Sequence, residues 1–155
     1  MSRLTAATDG SADSPAPGHG GWAWVTAEGT WWWGNHPETT NNRMELTAVL
    51  KLLESHPDRP LLIQTDSTYV LNIFTNELNG WGRKGRRTAK GTKLKNFDLI
   101  KLIDNLLQER EHSLGMGPKP DQWKWVGGPK RQSLNKSADR LAGFARSQAK
   151  LGHWR

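Results

Sequence analysis

Apolar residues fall at helical spacing in three long stretches of the chain, with short strand-like runs around them. Leu46, Val49, Leu50 and Leu53 lie at i, i+3, i+4 and i+7, which predicts a helix over 42–55, with Asn42 as its cap and Pro57 beyond its end. Leu99, Ile100, Ile103, Leu106 and Leu107 form the inner stripe of a second helix over 94–111. Ala138, Leu141, Ala142 and Ala145 form that of a last helix opening at Ser133 or Asn135. A short helix is predicted from Thr68 to about Phe74. Strands are predicted at 4–8, at 22–26 and 30–34 as a hairpin around Ala27-Glu28-Gly29, at 61–65, and at 122–126. Residues 12–21, with two prolines and three glycines, and residues 35–40 read as loops. The tail 150–155 is expected to fray. The order β-β-β-α-β-α-α-β-α predicts an α/β protein: a five-stranded mixed sheet, an antiparallel meander plus parallel strands, flanked by helices. At 155 residues the chain makes one domain.

Composition narrows the chemistry. There is no Cys, which excludes a disulfide scaffold, a thiolate metal site and a cysteine nucleophile. The net charge of +7 suits a polyanionic partner, and it is unevenly placed. Residues 1–77 carry 4 basic and 9 acidic side chains, residues 78–97 carry 7 and 0, and residues 98–155 carry 11 and 6. No apolar run is long enough to span a membrane, and the first ten residues lack the pattern of a signal peptide. The expectation is a soluble, cytoplasmic monomer.

Four acids stand at positions where chemistry is often built. Asp9 and Asp66 end predicted strands, Glu45 lies one turn into the first long helix, and Asp139 lies in the last. Carboxylates at the C-terminal ends of neighbouring strands converge at a sheet edge. Their hard oxygens suit Mg²⁺ or Mn²⁺, and such a set could hold two ions about 4 Å apart. Each acid also fits an ordinary role. Glu45 lies three residues after Asn42, as in a capping box; Asp9 and Asp66 suit turns; Asp139 has Lys136 at i−3.

Motifs then decide between these readings. Thr8-Asp9-Gly10-Ser11, Thr39-Thr40-Asn41-Asn42-Arg43-Met44-Glu45-Leu46, Thr65-Asp66-Ser67-Thr68-Tyr69-Val70, Lys95-Asn96-Phe97-Asp98-Leu99, Trp123-Lys124-Trp125-Val126 and Asp139-Arg140-Leu141-Ala142 occur in that order. Together they resemble ribonuclease H type 1, the bacterial ribonuclease HI family, over nearly the whole chain. The resemblance implies that Asp9, Glu45, Asp66 and Asp139 are catalytic acids binding two Mg²⁺ ions, with Mn²⁺ as a possible substitute. Asp9 would bridge both ions, with Glu45 and Asp66 on one and Asp139 on the other. The implied reaction is hydrolysis of the RNA strand of an RNA/DNA hybrid, leaving 5′-phosphate and 3′-hydroxyl ends.

The resemblance also implies a hybrid-binding surface. The basic run at about 78–97, with Trp81, Arg83, Lys84, Arg86, Arg87 and Lys95, is similar to the family's basic handle. Thr40 and Asn96 match its phosphate pocket, and Asn41 and Asn42 match residues that reach the minor groove. Two positions depart from the pattern. Glu38 stands where an Arg often lies, and Pro129 stands where the family has a loop His. Proline neither accepts nor donates a proton. The rival reading is therefore a weakly catalytic or non-catalytic hybrid-binding module of the same fold. Trp31-Trp32-Trp33 reads as strand residues alternating between core and solvent.

Overall fold

In the computed structural model, residues 2–77, 95–130 and 132–155 are described. The strands are β1 (Leu4–Ala12), β2 (Gly18–Thr26), β3 (Trp31–Thr39), β4 (Leu61–Thr65) and β5 (Gln122–Trp125). The helices are α1 (Asn41–Ser55), α2 (Thr68–Asn72), α3 (Phe97–Ser113) and α4 (Ser133–Lys150). The sheet runs β3-β2-β1-β4-β5, antiparallel from β1 to β3 and parallel from β1 through β4 to β5. The expected mixed sheet and order of elements are therefore present. The basic handle at about 78–97 falls outside the described residues, except for Lys95, Asn96 and Phe97 at its end.

Side-chain alternation along the central strands divides the core between two faces. Leu4, Ala6, Trp22 and Trp24 pack with the leucines of α1 and with Ile100 and Ile103 of α3. Ala7, Ala23, Val25 and Trp33 face the alanine stripe of α4. That stripe, with Gly21, lets the helix lie almost on the backbone: a Cβ at Gly21 would come 2.4 Å from Arg146 N and 2.5 Å from Ala142 O.

Several boundaries differ from the sequence expectation. β2 begins at Gly18 and β3 continues to Thr39, so most of the two expected loops is paired strand. The glycines that read as loop are small residues at crowded strand positions, as Gly21 illustrates. Pro37 is tolerated because β3 is an edge strand. α1 is capped by Thr40 rather than Asn42: Arg43 N–H donates to Thr40 Oγ1 at 3.2 Å. The short helix after β4 stops at Asn72 and continues as a π-helical turn, Ile73–Glu77. Trp33 is buried while Trp31 and Trp32 are both about half exposed, so the alternation is only partial.

The tail is tied down rather than frayed. Asn35 Nδ2 donates to Ala145 O at 3.1 Å and to His153 O at 2.8 Å, and Asn35 Oδ1 accepts from Arg155 N at 3.0 Å. The Arg155 guanidinium lies 3.6 Å from the Trp32 ring centroid and 4.3 Å from that of Trp33. One Asn thus joins β3, α4 and the tail. Asn35→Ala is expected to cost about 1–3 kcal/mol, because three hydrogen bonds go and two carbonyls lose a partner. Thermal melts should show a fall of several degrees; an unchanged midpoint would mean the tail contributes nothing.

Candidate metal centre

Two close approaches bring the acids together. Gly10 has no Cβ, and one built there would lie 2.2 Å from Glu45 N and 2.3 Å from Met44 C. The end of β1 therefore meets the first turn of α1 backbone to backbone. This sets Asp9 beside Glu45. Parallel pairing of β1 with β4 then places Asp66, just past the end of β4, on the same side. Asp9, Glu45 and Asp66 each offer a carboxylate oxygen, all within 4.8 Å of one another. Asp139, from α4, hydrogen-bonds the Asp9 carboxyl. All four line one open cleft of about 430 Å³, with Ser11, Asn41, Asn42 and Tyr69 also on its walls.

The capping reading of Glu45 does not hold. With Thr40 as cap, the capping-box position falls on Arg43, and Glu45 is 8% exposed and turned into the acid group. Asp139 likewise reaches toward Asp9.

The electrostatics follow from burial and crowding. Burial pushes the Asp9 carboxyl up to about 7; the neighbouring Asp139 and Asp66 push the same way, and a hydrogen bond with Glu45 works against them. Burial, with the charge of Asp9 and then of Asp66, holds Glu45 well above the usual carboxylate range, opposed by the Gly10 N–H. Glu45 Oε2 is buried without a hydrogen-bond partner. Three close oxygen donors, one of them orphaned, fit a hard divalent cation, which would offset the repulsion that otherwise keeps protons on the cluster.

A hollow of similar size, about 490 Å³, lies between α3 and β5, beside Phe74 and Trp123. Its carboxylates are engaged otherwise: Glu111 accepts from Lys119 N, Gln108 donates to Asp104, and Asp121 pairs with Arg110. Among the described residues, the carboxylates close enough to share a metal ion lie in the first cleft.

The expected binding residues divide into three groups. Asn41 and Asn42 are exposed at the cleft. Ala12 N–H donates to Asn41 Oδ1 at 2.6 Å, which leaves the Asn41 NH₂ as the outward group. Thr40 and Asn96 are linked through Arg43, whose N–H donates to Thr40 Oγ1 and whose Nη1 donates to Asn96 Oδ1 at 3.1 Å. Arg43 also clasps Asp98 at 3.1 and 2.8 Å, and Asn96 Nδ2 donates to Tyr69 Oη at 3.0 Å. Lys95 is exposed at the edge of the described residues. Trp81, Arg83, Lys84, Arg86 and Arg87 lie outside them. Pro129 is exposed in a 3₁₀ turn, Gly128–Lys130, after β5.

Sequence reasoning passed over Arg43 and Tyr69, although both stand inside the quoted motifs. It also passed over Arg146, whose guanidinium reaches Ser11 from α4. No local pattern marks a contact 135 residues apart in sequence.

Comparison with known proteins gives a consistent picture. A family model described as RNase H matches residues 1–147. The ribonuclease H of Tropheryma whipplei (strain Twist) is 40% identical over 141 residues, covering 90% of this chain and 81% of that protein. The ribonuclease H of Neisseria meningitidis serogroup C is 39% identical over 145 residues, covering 91% and 93%. The foamy viral protease-reverse transcriptase, solved in complex with RNA/DNA hybrid, shares the fold. It superposes with a TM-score of 0.75 at 23% identity, over 92% of this chain and 20% of the viral one.

Proposed function

The chain belongs to the ribonuclease H family, and from that premise we propose a metal-dependent endoribonuclease that cuts the RNA strand of RNA/DNA hybrids. The products would carry 5′-phosphate and 3′-hydroxyl ends. The observation that carries the reading is the convergence of Asp9, Glu45, Asp66 and Asp139 on one cleft. A pure binder of polyanions gains nothing from buried carboxyls facing phosphate.

Asp9 hydrogen-bonds both Glu45 and Asp139, which supports its assignment as the ligand shared by two Mg²⁺ ions, or two Mn²⁺. Glu45 and Asp66 would complete one site and Asp139 the other. Bound there, the ions would supply Lewis acidity for an attacking water and a leaving oxygen. The remaining residues bind and orient. Asn41 presents its NH₂ to acceptors in the minor groove. Thr40 and Asn96, braced by Arg43, would hold a DNA-strand phosphate. The basic run from Trp81 to Lys95 would grip the same strand through its charge. The viral chain of the same fold, solved with RNA/DNA hybrid, supports this choice of substrate. The reading carries a cytoplasmic monomer with it; no helix among the described residues is long and apolar enough to cross a membrane.

The test is cleavage of an end-labelled hybrid in Mg²⁺ or Mn²⁺. Cutting confined to the RNA strand is expected, with DNA duplex and single-stranded RNA intact and EDTA abolishing the reaction. The second reading, a hybrid-binding module, is motivated by Pro129 at the place of a proton-transferring residue. Tight hybrid binding without cleavage at any metal concentration would establish it.

A further inference from the structure

Ser11 lies two residues beyond Asp9 on the wall of the acid cleft. Its side chain is held by Arg146 of α4, the helix that also carries Asp139. Arg146 Nη1 donates to Ser11 Oγ, and Arg146 Nε lies 3.5 Å from Asp13 Oδ1. Lys150 Nζ lies 3.2 Å from the same Asp13 oxygen. The Arg146 backbone is fixed in turn by its packing against Gly21. From the other side, Ala12 N–H is fastened to Asn41. The segment 11–13 is therefore clamped between the first turn of α1 and the fourth turn of α4.

Hydrogen-bond chemistry gives the clamp a direction. A guanidinium only donates, so Ser11 Oγ must accept from Arg146. The hydroxyl proton cannot point back at the cation and is left to donate elsewhere. Ser11 is only partly buried, and the cleft lies before it. Asp13 keeps the cation in place and balances its charge, so Arg146 is a poor phosphate ligand in its own right.

The geometry points to Arg146, seated by Asp13, as a positioning residue that fixes the Ser11 hydroxyl as a donor to a ribose 2′-oxygen of the bound RNA strand. This rests on the reading of the site as a hybrid-cleaving centre and adds a specificity determinant to it. Such a contact exists in ground state and transition state alike, so its loss weakens binding more than it slows chemistry. RNA differs from DNA at this oxygen, so only hybrid binding should depend on it.

The experiment uses the full chain with Ser11→Ala, Arg146→Met, Arg146→Lys and the Ser11→Ala/Arg146→Met double variant. Steady-state cleavage of a labelled hybrid is measured together with affinity for the matching DNA duplex. Loss of one hydrogen bond predicts about a three- to tenfold rise in KM for Arg146→Met, with kcat within about twofold. The double variant should be no worse than either single one, and Arg146→Lys should recover part of the loss. DNA-duplex affinity should not change. Additive effects with an equal loss on DNA duplex would make Arg146 a phosphate ligand and overturn the proposal. A fall in kcat that tracks a fall in melting temperature, at constant KM, would reduce Arg146 to a structural role and overturn it too. If the wild-type chain leaves the hybrid uncut, the underlying functional reading has failed. Affinities of the same variants for hybrid against DNA duplex then still decide whether Arg146 sets the preference for RNA.

Discussion

Asp9→Asn is expected to lower the rate of hybrid cleavage about 10³-fold or more while the folded protein becomes more stable without metal. The first effect follows from the position of Asp9 between Glu45 and Asp139. In the proposed two-ion centre Asp9 would be a ligand to both ions, and its loss would remove about 4 kcal/mol or more of transition-state stabilisation. Hybrid affinity should persist, because the residues proposed to bind the hybrid, Asn41, Asn96 and the basic run, are untouched.

The second effect follows from the cost of the cluster. Folding raises the Asp9 carboxyl from an ordinary 3.8 to about 7 and holds Glu45 well above its own ordinary value. Between those values the folded chain holds protons that the unfolded chain releases. Stability from Asp9 is complete below about pH 4 and is lost as the pH rises through about 7, and Glu45 adds a loss of the same sign. At pH 8 an Asn at position 9 avoids this loss and can donate its NH₂ to the remaining carboxylates. A gain on the order of 2 kcal/mol, or roughly 6 °C, is expected in EDTA, allowing for the coupling of the two acids. Saturating Mn²⁺ should raise the melting point of the wild type at pH 8 more than that of Asp9→Asn. A variant no more stable than wild type in EDTA would show that the acids are not strained against one another. Retained cleavage would remove Asp9 from the centre.

Which features the sequence reveals depends on how local their causes are. The stripe Leu46, Val49, Leu50, Leu53 and the run Leu61-Leu62-Ile63 announce α1 and β4 because periodicity is a property of neighbours. The four acids were legible as a set only through their motifs, since spacing allowed Glu45 to be a capping residue. The deciding facts are tertiary: Thr40 takes the cap, and Gly10 admits the α1 backbone against β1. Glycines misled where they served close packing. Gly21 looks like loop in one dimension and is a contact point between sheet and helix in three. The tail behaves similarly: Asn35 and Arg155 are 120 residues apart, and neither carries a local sign of the other.

The largest loss of stability is expected far from the acids, at Arg110→Met. Arg110 is 3% exposed and spends its guanidinium on four acceptor oxygens of three groups. Nε and Nη2 pair with the two Asp121 oxygens at 2.7 and 2.8 Å, Nη1 donates to His56 O at 2.6 Å, and Nη2 also donates to Arg59 O. Asp121 Oδ1 further accepts from Leu61 N at 2.9 Å. The cluster thus joins the end of α3, the connection after α1, and the starts of β4 and β5. Methionine fills much of the volume but leaves the Asp121 carboxylate buried and unpaired, along with two carbonyls. A loss of about 3–5 kcal/mol is expected from breaking such a pair on one side. Adding Asp121→Asn should return part of it, because the amide oxygen still accepts from Leu61 while the uncompensated charge is gone. Denaturant unfolding of the two single variants and the double one measures this coupling. The acid cleft lies at the opposite end of β4, so kcat per folded molecule should stay near wild type at low temperature. A loss under 1 kcal/mol for Arg110→Met, or a double variant that merely adds the two losses, would refute a tight buried pair. A collapse of kcat in molecules that remain folded would instead show that this end of the sheet sets the geometry of Asp66.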